Sequence, residues 1–357
     1  MSFRKSVQLP SPSTSIRQLS ALVLAATLAL LAVPPAAPLA EQVTGPVAGQ
    51  VTGQVTWRMT TEYPESNISG IGITTFARLV SERTGGLVTV TPAFDNALKI
   101  NSADMPRAAR EGRIDAGDAF SGPLAGLDPV FGLSTLPFMV QSIEVARAVN
   151  ARARPLYEAA LAAQGLKLLY LTIWPATGLW SERALQSGDD LAALSVRTYD
   201  DSSTEVMRAA GSNPQFLPMD KALAALREHR LNALLTSGDG GVGRKLWEFL
   251  PHFTAINYAI PVSMAFVRSE SFAALPADVQ QKVLAAAADT EQRQLDLLAH
   301  RTAENYARMR DNGVTIVEPA SVALLATLRR AAEHPIADWR ARAGHDAAEI
   351  AEWAMRQ

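Results

Sequence analysis

The chain has 357 residues, of which 48 % are hydrophobic and 19 % are charged, and its formal net charge is −2. This composition is typical of a soluble globular protein with room for two ordinary domains, and the near-neutral charge argues against a nucleic-acid partner. The sequence contains no cysteine. That absence excludes disulfides, thiolate metal sites, cysteine nucleophiles and a lipid anchor on an N-terminal cysteine.

The first 40 residues have the pattern of a secretory signal peptide. Arg4, Lys5 and Arg17 form a basic region, and the apolar run 19–33 is too short for a typical membrane span. Small residues follow, and we predict cleavage near Ala37 or Ala40; the alternative is an uncleaved anchor. Cleavage removes three of the 33 basic residues and none of the 35 acidic ones, which leaves 30 − 35 = −5 on the mature chain. We therefore expect a periplasmic protein.

Residues 41–56 repeat Val-Thr-Gly and are predicted to form a flexible tether. From residue 57 onward, the apolar residues alternate between strand spacing and helix spacing. The predicted order is strand 57–60, helix 70–84, strand 87–92, helix 103–111 and strand 114–120. This β-α-β-α-β pattern predicts a parallel sheet with helices on its faces.

A second unit of the same kind lies between Ser195 and Gly241. Two helices, a strand and a turn are predicted to lead into it, at 143–150, 155–164, 166–172 and 174–178. The unit itself is predicted to have strands at 195–199, 215–217 and 233–235, helices at 203–210 and 220–229, and a glycine-rich turn at 236–241. Ligands of open parallel sheets bind at the carboxyl ends of the strands, which places Arg197 and 236–239 at one edge.

The remaining chain predicts a two-lobed α/β fold of the periplasmic-binding-protein type, with a hinge. Its elements are a helix at 245–249, strand material at 253–267 that returns to the first lobe, a helix at 276–310, a strand at 314–317 and helical structure at 321–357. The helix 276–310 is long enough to brace two lobes. We assign lobe 1 to about 57–172 plus segments after 260, and lobe 2 to about 173–259, interleaved with the C-terminal helices. The cleft between the lobes is the expected ligand site.

Arg197 is the first candidate for binding a ligand. Its planar guanidinium can hold a carboxylate through two parallel hydrogen bonds, and it stays charged in a dry cleft. The alternative is an ion pair with Asp200 or Asp201, because long charged side chains are usually solvated or paired.

Polar residues near the predicted strand ends are further candidates. Backbone amides around Ser237 could bind an anion, and Asp239 either binds a ligand hydroxyl or a cation or is an ordinary turn residue. Tyr63 and Asn67 follow the first strand, where they could bind the ligand or pack within a surface loop.

Two tryptophans lie near the same edge. Trp180 either stacks on the ligand or fills the lobe, and Trp174 is expected in the core.

Motifs for enzymatic chemistry are absent from the sequence. The five histidines lack metal-binding spacing, no G-x-S-x-G is present, and Gly70–Gly72 lacks the rest of a dinucleotide-binding pattern. We expect no catalytic residue, cofactor or metal. A weaker alternative is a metal held by acids at 62–65 and 239.

Five short motifs carry a family resemblance. They are the helix end 76–86, the Gly-x-Ile-Asp turn 112–115, the Leu-Pro-Phe at 136–138, the strand 194–198, and the Gly-x-x-Pro and Pro-Met of 211–219. In order and spacing they resemble the extracytoplasmic solute receptors of TRAP (tripartite ATP-independent periplasmic) transporters, the DctP-like group. The resemblance runs from residue 57 to about residue 353.

The resemblance implies that Arg197 binds the carboxylate of a ligand. Thr236 stands where the family usually has a ligand-binding asparagine, and Trp180 where some members have a second arginine. Phe120 stands where sialic-acid-binding members have an acid, and Met219 replaces a frequent phenylalanine. The pocket has thus exchanged charged groups for aromatic surface, which favours a monocarboxylate, aromatic or hydroxylated, over a dicarboxylate. The full set of predicted ligand-binding residues is Arg197, Thr236, Ser237, Asp239, Trp180, Tyr63, Asn67, Phe120, Met219 and Tyr199.

The resemblance further implies a receptor that captures a small organic anion, closes around it, and delivers it to membrane permease subunits for uptake driven by an ion gradient. Two alternatives remain from the sequence. One is a sensor of the same fold that passes its ligand to a signalling partner, and the other is a periplasmic enzyme.

Overall fold

The structure is a computed structural model that describes residues 53–357. The predicted signal peptide and almost all of the predicted tether lie outside the described residues. Within residues 53–357, none of the helices combines the length and the apolar character that crossing a membrane requires.

The first half of the described chain alternates strands and helices as predicted. The elements are β1 (Val55–Thr60), α1 (Ile68–Thr84), β2 (Val88–Ala93), α2 (Met105–Arg110), β3 (Ala116–Phe120), α3 (Ile143–Ala162) and β4 (Leu166–Ile173). The two helices predicted at 143–150 and 155–164 are one helix, because Pro155 lies inside α3 without ending it.

The second half contains a strand that the sequence did not predict. The elements are β5 (Thr177–Ser181), β6 (Ser195–Thr198), α4 (Asp201–Ala209), β7 (Asn213–Phe216), α5 (Met219–Arg227), β8 (Ala233–Ser237), α6 (Gly238–Gly243) and β9 (His252–Thr254). The glycine-rich turn predicted at 236–241 is instead the end of β8 followed by α6. Ser237 caps this short helix, because its hydroxyl accepts a hydrogen bond from Gly240 N at 3.1 Å.

The C-terminal part is mostly helical. It consists of β10 (Val262–Arg268), α7 (Ser269–Ala273), α8 (Ala277–Asp311), β11 (Thr315–Val317), α9 (Val322–Arg342) and α10 (His345–Met355). The predicted helix 245–249 is only a 3₁₀ turn at Leu246–Glu248. The helical region predicted from 321 is broken at Gly344, whose φ of 79° favours glycine and separates α9 from α10.

The strands form two mixed sheets, which confirms the predicted α/β fold of two lobes. The first sheet has the order β2-β1-β3-β10-β4, and the second has the order β11-β9-β5-β8-β6-β7. In both, parallel βαβ strands adjoin antiparallel ones: β10 pairs antiparallel with β3 and β4, and β5 with β8 and β9. The predicted strand region 253–267 therefore supplies one strand to each sheet.

The long helix α8 packs against both halves. On one side it contacts α1 and β4, and on the other it contacts α6 and β11. Each sheet also has its own apolar core, with Trp57 and Phe76 in the first and Trp180 and Phe253 in the second. A third cluster, which includes Phe120 and Tyr199, joins residues from both sheets. Three of the ligand-site candidates, Tyr63, Phe120 and Tyr199, belong to this third cluster.

Candidate functional site

A small cavity lies where the two sheets meet. Its volume is about 20 Å³, which is room for about one water molecule. The lining comprises Tyr63, Phe120, Trp174, Thr177, Arg197, Tyr199, Met219, Thr236, Ser237 and Pro261. Seven of the ten residues predicted to bind a ligand are among them; Asp239, Trp180 and Asn67 are not.

Arg197 is held in this cavity by backbone carbonyls. It lies on β6, is 6 % exposed, and donates from Nε to Leu217 O at 2.8 Å and from Nη1 to Leu235 O at 3.3 Å. Among residues 53–357, no carboxylate oxygen lies within 4.0 Å of its guanidinium, and no partner accepts a hydrogen bond from Nη2. Burial lowers the pKa of Arg197, while nearby Tyr63 and Glu62 act in the opposite direction. The arrangement is a fixed, buried cation with free donor capacity.

The acids proposed as alternative partners of Arg197 have other roles. The carboxylate of Asp200 caps α4 by accepting from Ser203 N at 2.7 Å, and Asp201 is exposed in the first turn of that helix. A different acid, Glu62, lies near Arg197; its carboxylate accepts hydrogen bonds from Ser102. Burial raises the pKa of Glu62, and the Ser102 hydrogen bond and the Arg197 charge oppose that rise.

Four aromatic rings form one wall of the cavity. The ring centroids of Tyr63 and Trp174 are 4.6 Å apart, and those of Phe120 and Tyr199 are 5.2 Å apart. Phe120 also lies 6.4 Å from both Tyr63 and Trp174 in edge-on geometry. Phe120 ends β3 of the first sheet, whereas Tyr199 follows β6 of the second. The wall is therefore built from both lobes.

The cavity's other polar groups come from adjacent strands of the second sheet. Thr236 and Ser237 end β8, and Thr177 begins β5 directly opposite Ser237. Met219 begins α5. Sequence reasoning missed Thr177 because β5 was read as a turn, and it missed Pro261 because nothing in the local pattern marks it. Trp174 was predicted to fill the core, and it is both buried and part of the cavity wall.

Asp239 lies outside the cavity, in a buried polar cluster that ties the two lobes to α8. Its carboxylate accepts from Arg301 Nε at 2.6 Å, from Asn305 at 3.1 Å, from Ile68 N at 2.9 Å and from Asn67 at 3.1 Å. We call these five residues the interlobe clasp. Asp239 is thus neither an ordinary turn residue nor open to a ligand. Asn67 is likewise held within the clasp.

A sequence signal for the clasp does exist. Gln294, Arg301 and Asn305 are buried on α8 together with Leu298. The intervals of four, three and four residues between these positions place the three polar side chains on the same helix face as Leu298, where they require partners.

Trp180 also lies away from the cavity. Its indole donates to Ser237 O at 3.2 Å, and a Cβ placed on Gly241 would come within 2.2 Å of its ring. Trp180 therefore packs beneath α6, which explains the glycine at position 241. Within residues 53–357 no group of three or more His, Asp or Glu side chains converges in a way that could hold a metal ion.

Two mixed sheets that exchange strands, with a buried cation at their junction, define a two-lobed solute-binding protein. The chain belongs to bacterial extracellular solute-binding protein family 7, whose model matches residues 59–337.

Known relatives are distant in sequence and close in fold. The chain is similar to the 2,3-diketo-L-gulonate-binding periplasmic protein YiaO of Escherichia coli, with 23 % identity over 270 residues, 73 % of this chain and 80 % of that protein. It is 28 % identical over 191 residues to the monocarboxylate 2-oxoacid-binding periplasmic protein all3028 of Nostoc, which is 50 % of this chain and 49 % of that protein. The crystal structure of DctP7, a Bordetella pertussis extracytoplasmic solute receptor binding pyroglutamic acid, superposes with a TM-score of 0.80 at 25 % identity, over 85 % of this chain and 100 % of that one.

Proposed function

We propose that this protein is the periplasmic receptor of a TRAP transporter and that it captures a small organic monocarboxylate with an apolar or aromatic body. The observation that carries the proposal is Arg197, a buried guanidinium with no carboxylate within 4.0 Å among the described residues and with free donor capacity toward an aromatic cavity. A buried charge without a partner is costly, so a ligand carboxylate would supply the missing counter-charge.

The lining favours one carboxylate over two. Arg197 is the only charged residue among the ten that line the cavity in the described chain. A second ligand carboxylate would face rings and hydroxyls and would lose its hydration without gaining a cation. Relatives whose names specify 2,3-diketo-L-gulonate, a 2-oxoacid and pyroglutamic acid support an organic acid as the ligand.

Binding requires the cavity to enlarge, because 20 Å³ cannot hold an organic acid. The cavity lining contains Phe120 from the first sheet and Arg197 from the second, so separation of the lobes would open the cavity. A ligand that touches both walls would favour the closed form, since only that form makes both sets of contacts.

Delivery to membrane permease subunits and a periplasmic location complete the proposal. The location is supported by the signal-peptide pattern of residues 1–40 and by the periplasmic relatives. Delivery to a permease is supported by the resemblance of the five sequence motifs to those of TRAP receptors.

The test is a thermal-shift screen of the mature chain, followed by calorimetric titration of hits. The panel contains pyroglutamate, 2-oxoacids, sugar acids and the dicarboxylates succinate and malate. A true ligand stabilises the folded state by mass action, so the melting temperature rises with its concentration. We expect a monocarboxylate hit that Arg197→Ala abolishes and that Arg227→Ala, a control on α5, retains. Equal binding by Arg197→Ala, or a panel in which only dicarboxylates bind, would refute the proposal.

A further inference from the structure

A buried glutamate lies behind the aromatic wall of the cavity without lining the cavity itself. Glu62 follows β1 by two positions, is 6 % exposed, and directly precedes Tyr63, one of the rings of the wall. Among residues 53–357 its carboxylate accepts hydrogen bonds from Ser102 alone, from the backbone N at 3.3 Å and from the side-chain hydroxyl. Because a buried carboxylate is costly unless it is hydrogen-bonded, these two bonds determine where the side chain of Glu62 lies.

Ser102 connects this carboxylate to a second ring of the wall. It is fully buried and begins a 3₁₀ turn ahead of α2. Its Oγ donates to Glu62 and accepts from Phe120 N at 2.9 Å. Phe120 is the ring of the first sheet that meets Tyr199 of the second. The link from Glu62 therefore ends at the place where the two lobes complete the wall.

Phe120 needs this hydroxyl because of the way in which β3 ends. β1 pairs with β3 only as far as Gly117, whereas β10 continues to pair with β3 up to Phe120. The next amide, that of Ser121, donates to Val262 O of β10 at 3.0 Å. Since successive amides of a strand point to opposite sides, Phe120 N points to the side that β1 has left. Ser102 Oγ supplies the acceptor that a strand carbonyl would otherwise provide.

The backbone of Glu62 is held as well. Arg244, which follows α6 in the second lobe, donates to Glu62 O at 2.7 Å. Asp95 N, in the loop after β2, donates to the next carbonyl, Tyr63 O, at 2.8 Å. Contacts from both lobes thus fix the backbone from which the carboxylate of Glu62 reaches Ser102.

We propose that Glu62 is a positioning residue of the binding cavity: through Ser102 it fixes Phe120, and it thereby sets the fit of the aromatic wall to the body of a ligand. The second part rests on the proposed function. The carboxylate of the ligand would meet Arg197, whose own hydrogen bonds go to two backbone carbonyls of the second lobe and do not involve Ser102. Loss of the link should therefore weaken the binding of a ring-bearing acid more than the binding of a small acid without a ring.

The charge of Glu62 provides the competing explanation. Burial raises the pKa of Glu62, and the Arg197 charge opposes that rise, so the two groups interact electrostatically. A positioning role depends on the acceptor oxygen, whereas an electrostatic role depends on the charge. Glu62→Gln keeps an acceptor oxygen at the same distance from the backbone and removes the charge. Glu62→Asp keeps the charge and withdraws the oxygens by one methylene.

The first experiment needs no ligand. Amide hydrogen exchange of the mature chain is followed by NMR at Phe120 and at Ser121, whose amide is the control within the same strand. We expect Ser102→Ala, Glu62→Ala and Glu62→Asp to speed exchange at Phe120 roughly three- to tenfold relative to Ser121, which corresponds to one lost hydrogen bond. Glu62→Gln should keep the wild-type ratio, and so should Glu65→Gln, which changes an exposed acid of the same loop.

Two results of this experiment would overturn the proposal. One is a ratio of the two exchange rates that stays at the wild-type value in Ser102→Ala and Glu62→Asp. The other is a ratio that changes as much in Glu62→Gln as in Glu62→Asp, because the charge and not the acceptor oxygen would then be what matters. Glu62→Asp decides the matter if Glu62→Ala does not fold.

The second experiment uses pyroglutamate and pyruvate as probes in calorimetric titrations. Both are monocarboxylates, but only pyroglutamate has a ring. We expect Ser102→Ala and Glu62→Asp to raise the Kd for pyroglutamate roughly five- to tenfold and the Kd for pyruvate less than about twofold. Glu62→Gln should leave both values within about twofold of wild type.

The outcomes separate this proposal from the proposed function. Equal losses for the two acids, or an unchanged affinity for pyroglutamate in Ser102→Ala, would overturn the effect of Glu62 on the fit of the wall and leave the receptor function intact. Exchange ratios that change as expected in a chain that binds neither these acids nor any other organic acid would support the link from Glu62 to Phe120 and count against the proposed function.

Discussion

Two buried arginines of this protein are held in opposite ways. Arg301 of the interlobe clasp lies against a carboxylate, with its Nε 2.6 Å from Asp239 Oδ1. Arg197 of the cavity has only the carbonyls of Leu217 and Leu235, and no carboxylate of the described chain within 4.0 Å. Both are almost fully buried, at 8 % and 6 % exposure.

The difference distinguishes a charge with a structural role, that of Arg301, from a charge that is available to a ligand, that of Arg197. In a buried ion pair each charge is compensated by the other. Removing one member therefore leaves the other charge uncompensated in an apolar environment. A buried cation with carbonyl partners alone is oriented without being neutralised. The carboxyl of Asp118, which is buried in the middle of β3, resembles Arg197 in this respect, because its hydrogen-bond partner is the hydroxyl of Ser69 and no cationic nitrogen of residues 53–357 lies within 4.0 Å of it. The ionisable groups near the cavity thus lack a counter-ion, whereas those of the clasp compensate one another.

Breaking the clasp should have the largest effect. Asp239→Ala leaves Arg301 buried without its counter-ion, so we expect the free energy of unfolding to fall by about 3–5 kcal/mol. Urea denaturation of the mature chain measures this change. Adding Arg301→Met to Asp239→Ala should recover part of the loss, because the unpaired charge is then removed.

An exposed pair provides the control for the clasp. Asp104 and Arg107 lie 2.5 Å apart on the surface, with side chains 43 % and 56 % exposed. Asp104→Ala should cost less than about 1 kcal/mol. A loss at Asp239 no greater than the loss at Asp104 would contradict the assignment of the clasp as structural.

Asp118 should give the protein a pH-dependent stability. Its pKa in the folded state is raised to about 7, so the folded chain binds this proton more tightly than the unfolded chain does. The favourable contribution is fully present below the ordinary carboxyl pKa of about 4, and it is lost as the pH rises to about 7. The loss is up to about 4 kcal/mol, since each pKa unit corresponds to about 1.4 kcal/mol.

Melting temperatures at pH 5 and pH 8 test this expectation. Glu62 and Asp200 also have pKa values raised by burial, so they contribute with the same sign. The comparison that isolates Asp118 is therefore wild type against Asp118→Asn. The variant should lose less stability than wild type between the two pH values, and an identical loss in both proteins would contradict the expectation.

Replacing Arg197 should affect binding more than folding. Arg197→Lys keeps the positive charge but loses the planar fork, so we expect the Kd for a carboxylate ligand to rise about 10- to 100-fold, or about 1.4–2.8 kcal/mol. The free energy of unfolding should change by no more than about 2 kcal/mol, because only hydrogen bonds to carbonyls are altered. Calorimetric titration and urea denaturation of the same variant separate the two effects. If Arg197→Lys lost as much stability as Asp239→Ala and kept its affinity for the ligand, Arg197 would have a structural role and not a ligand-binding one.

Much of the fold follows from the sequence because its signals are local. The periodicity of β1 to β3 and of the segment from β6 to β8 predicts both parallel βαβ units. The strand β5 was missed because Trp174-Pro175 reads as a turn, and its pairing with β8 and β9 depends on residues about 55 and 75 positions away. Pro155 similarly suggests a helix end, yet the packing of α3 on β4 outweighs the cost of one proline within it.

The site was predictable to the extent that it lies at strand ends. Arg197, Thr236 and Ser237 were placed there by the rule that parallel strands share an edge. Asp239 follows the same strand by only two positions, but α6 turns it away from the cavity and toward Arg301. Nothing local in Gly238–Gly243 reveals a partner that lies 62 residues further along the chain. Local patterns therefore show that α8 carries buried polar groups, but they do not show which distant residue pairs with them.

The ion pair between Arg244 and Asp95, in which the acid is exposed, should have the smallest effect. Arg244, which follows α6, forms an ion pair with Asp95 in the loop after β2 and donates to Glu62 O at 2.7 Å. The Asp95 side chain is 59 % exposed and that of Arg244 is 12 % exposed, but Arg244 keeps its hydrogen bond to Glu62 O when Asp95 is replaced. The backbone φ of 59° at Asp95 is one that asparagine adopts readily. Asp95→Asn should lower the free energy of unfolding by less than about 1 kcal/mol and change the Kd by less than about twofold. The small difference should vanish in about 1 M salt, because exposed charges are screened, whereas the effect of Asp239→Ala should persist there. Urea denaturation at low and high salt measures both variants. A loss above about 2 kcal/mol for Asp95→Asn would show that the exposure of the acid does not explain the difference between the Arg244–Asp95 pair and the Arg301–Asp239 pair.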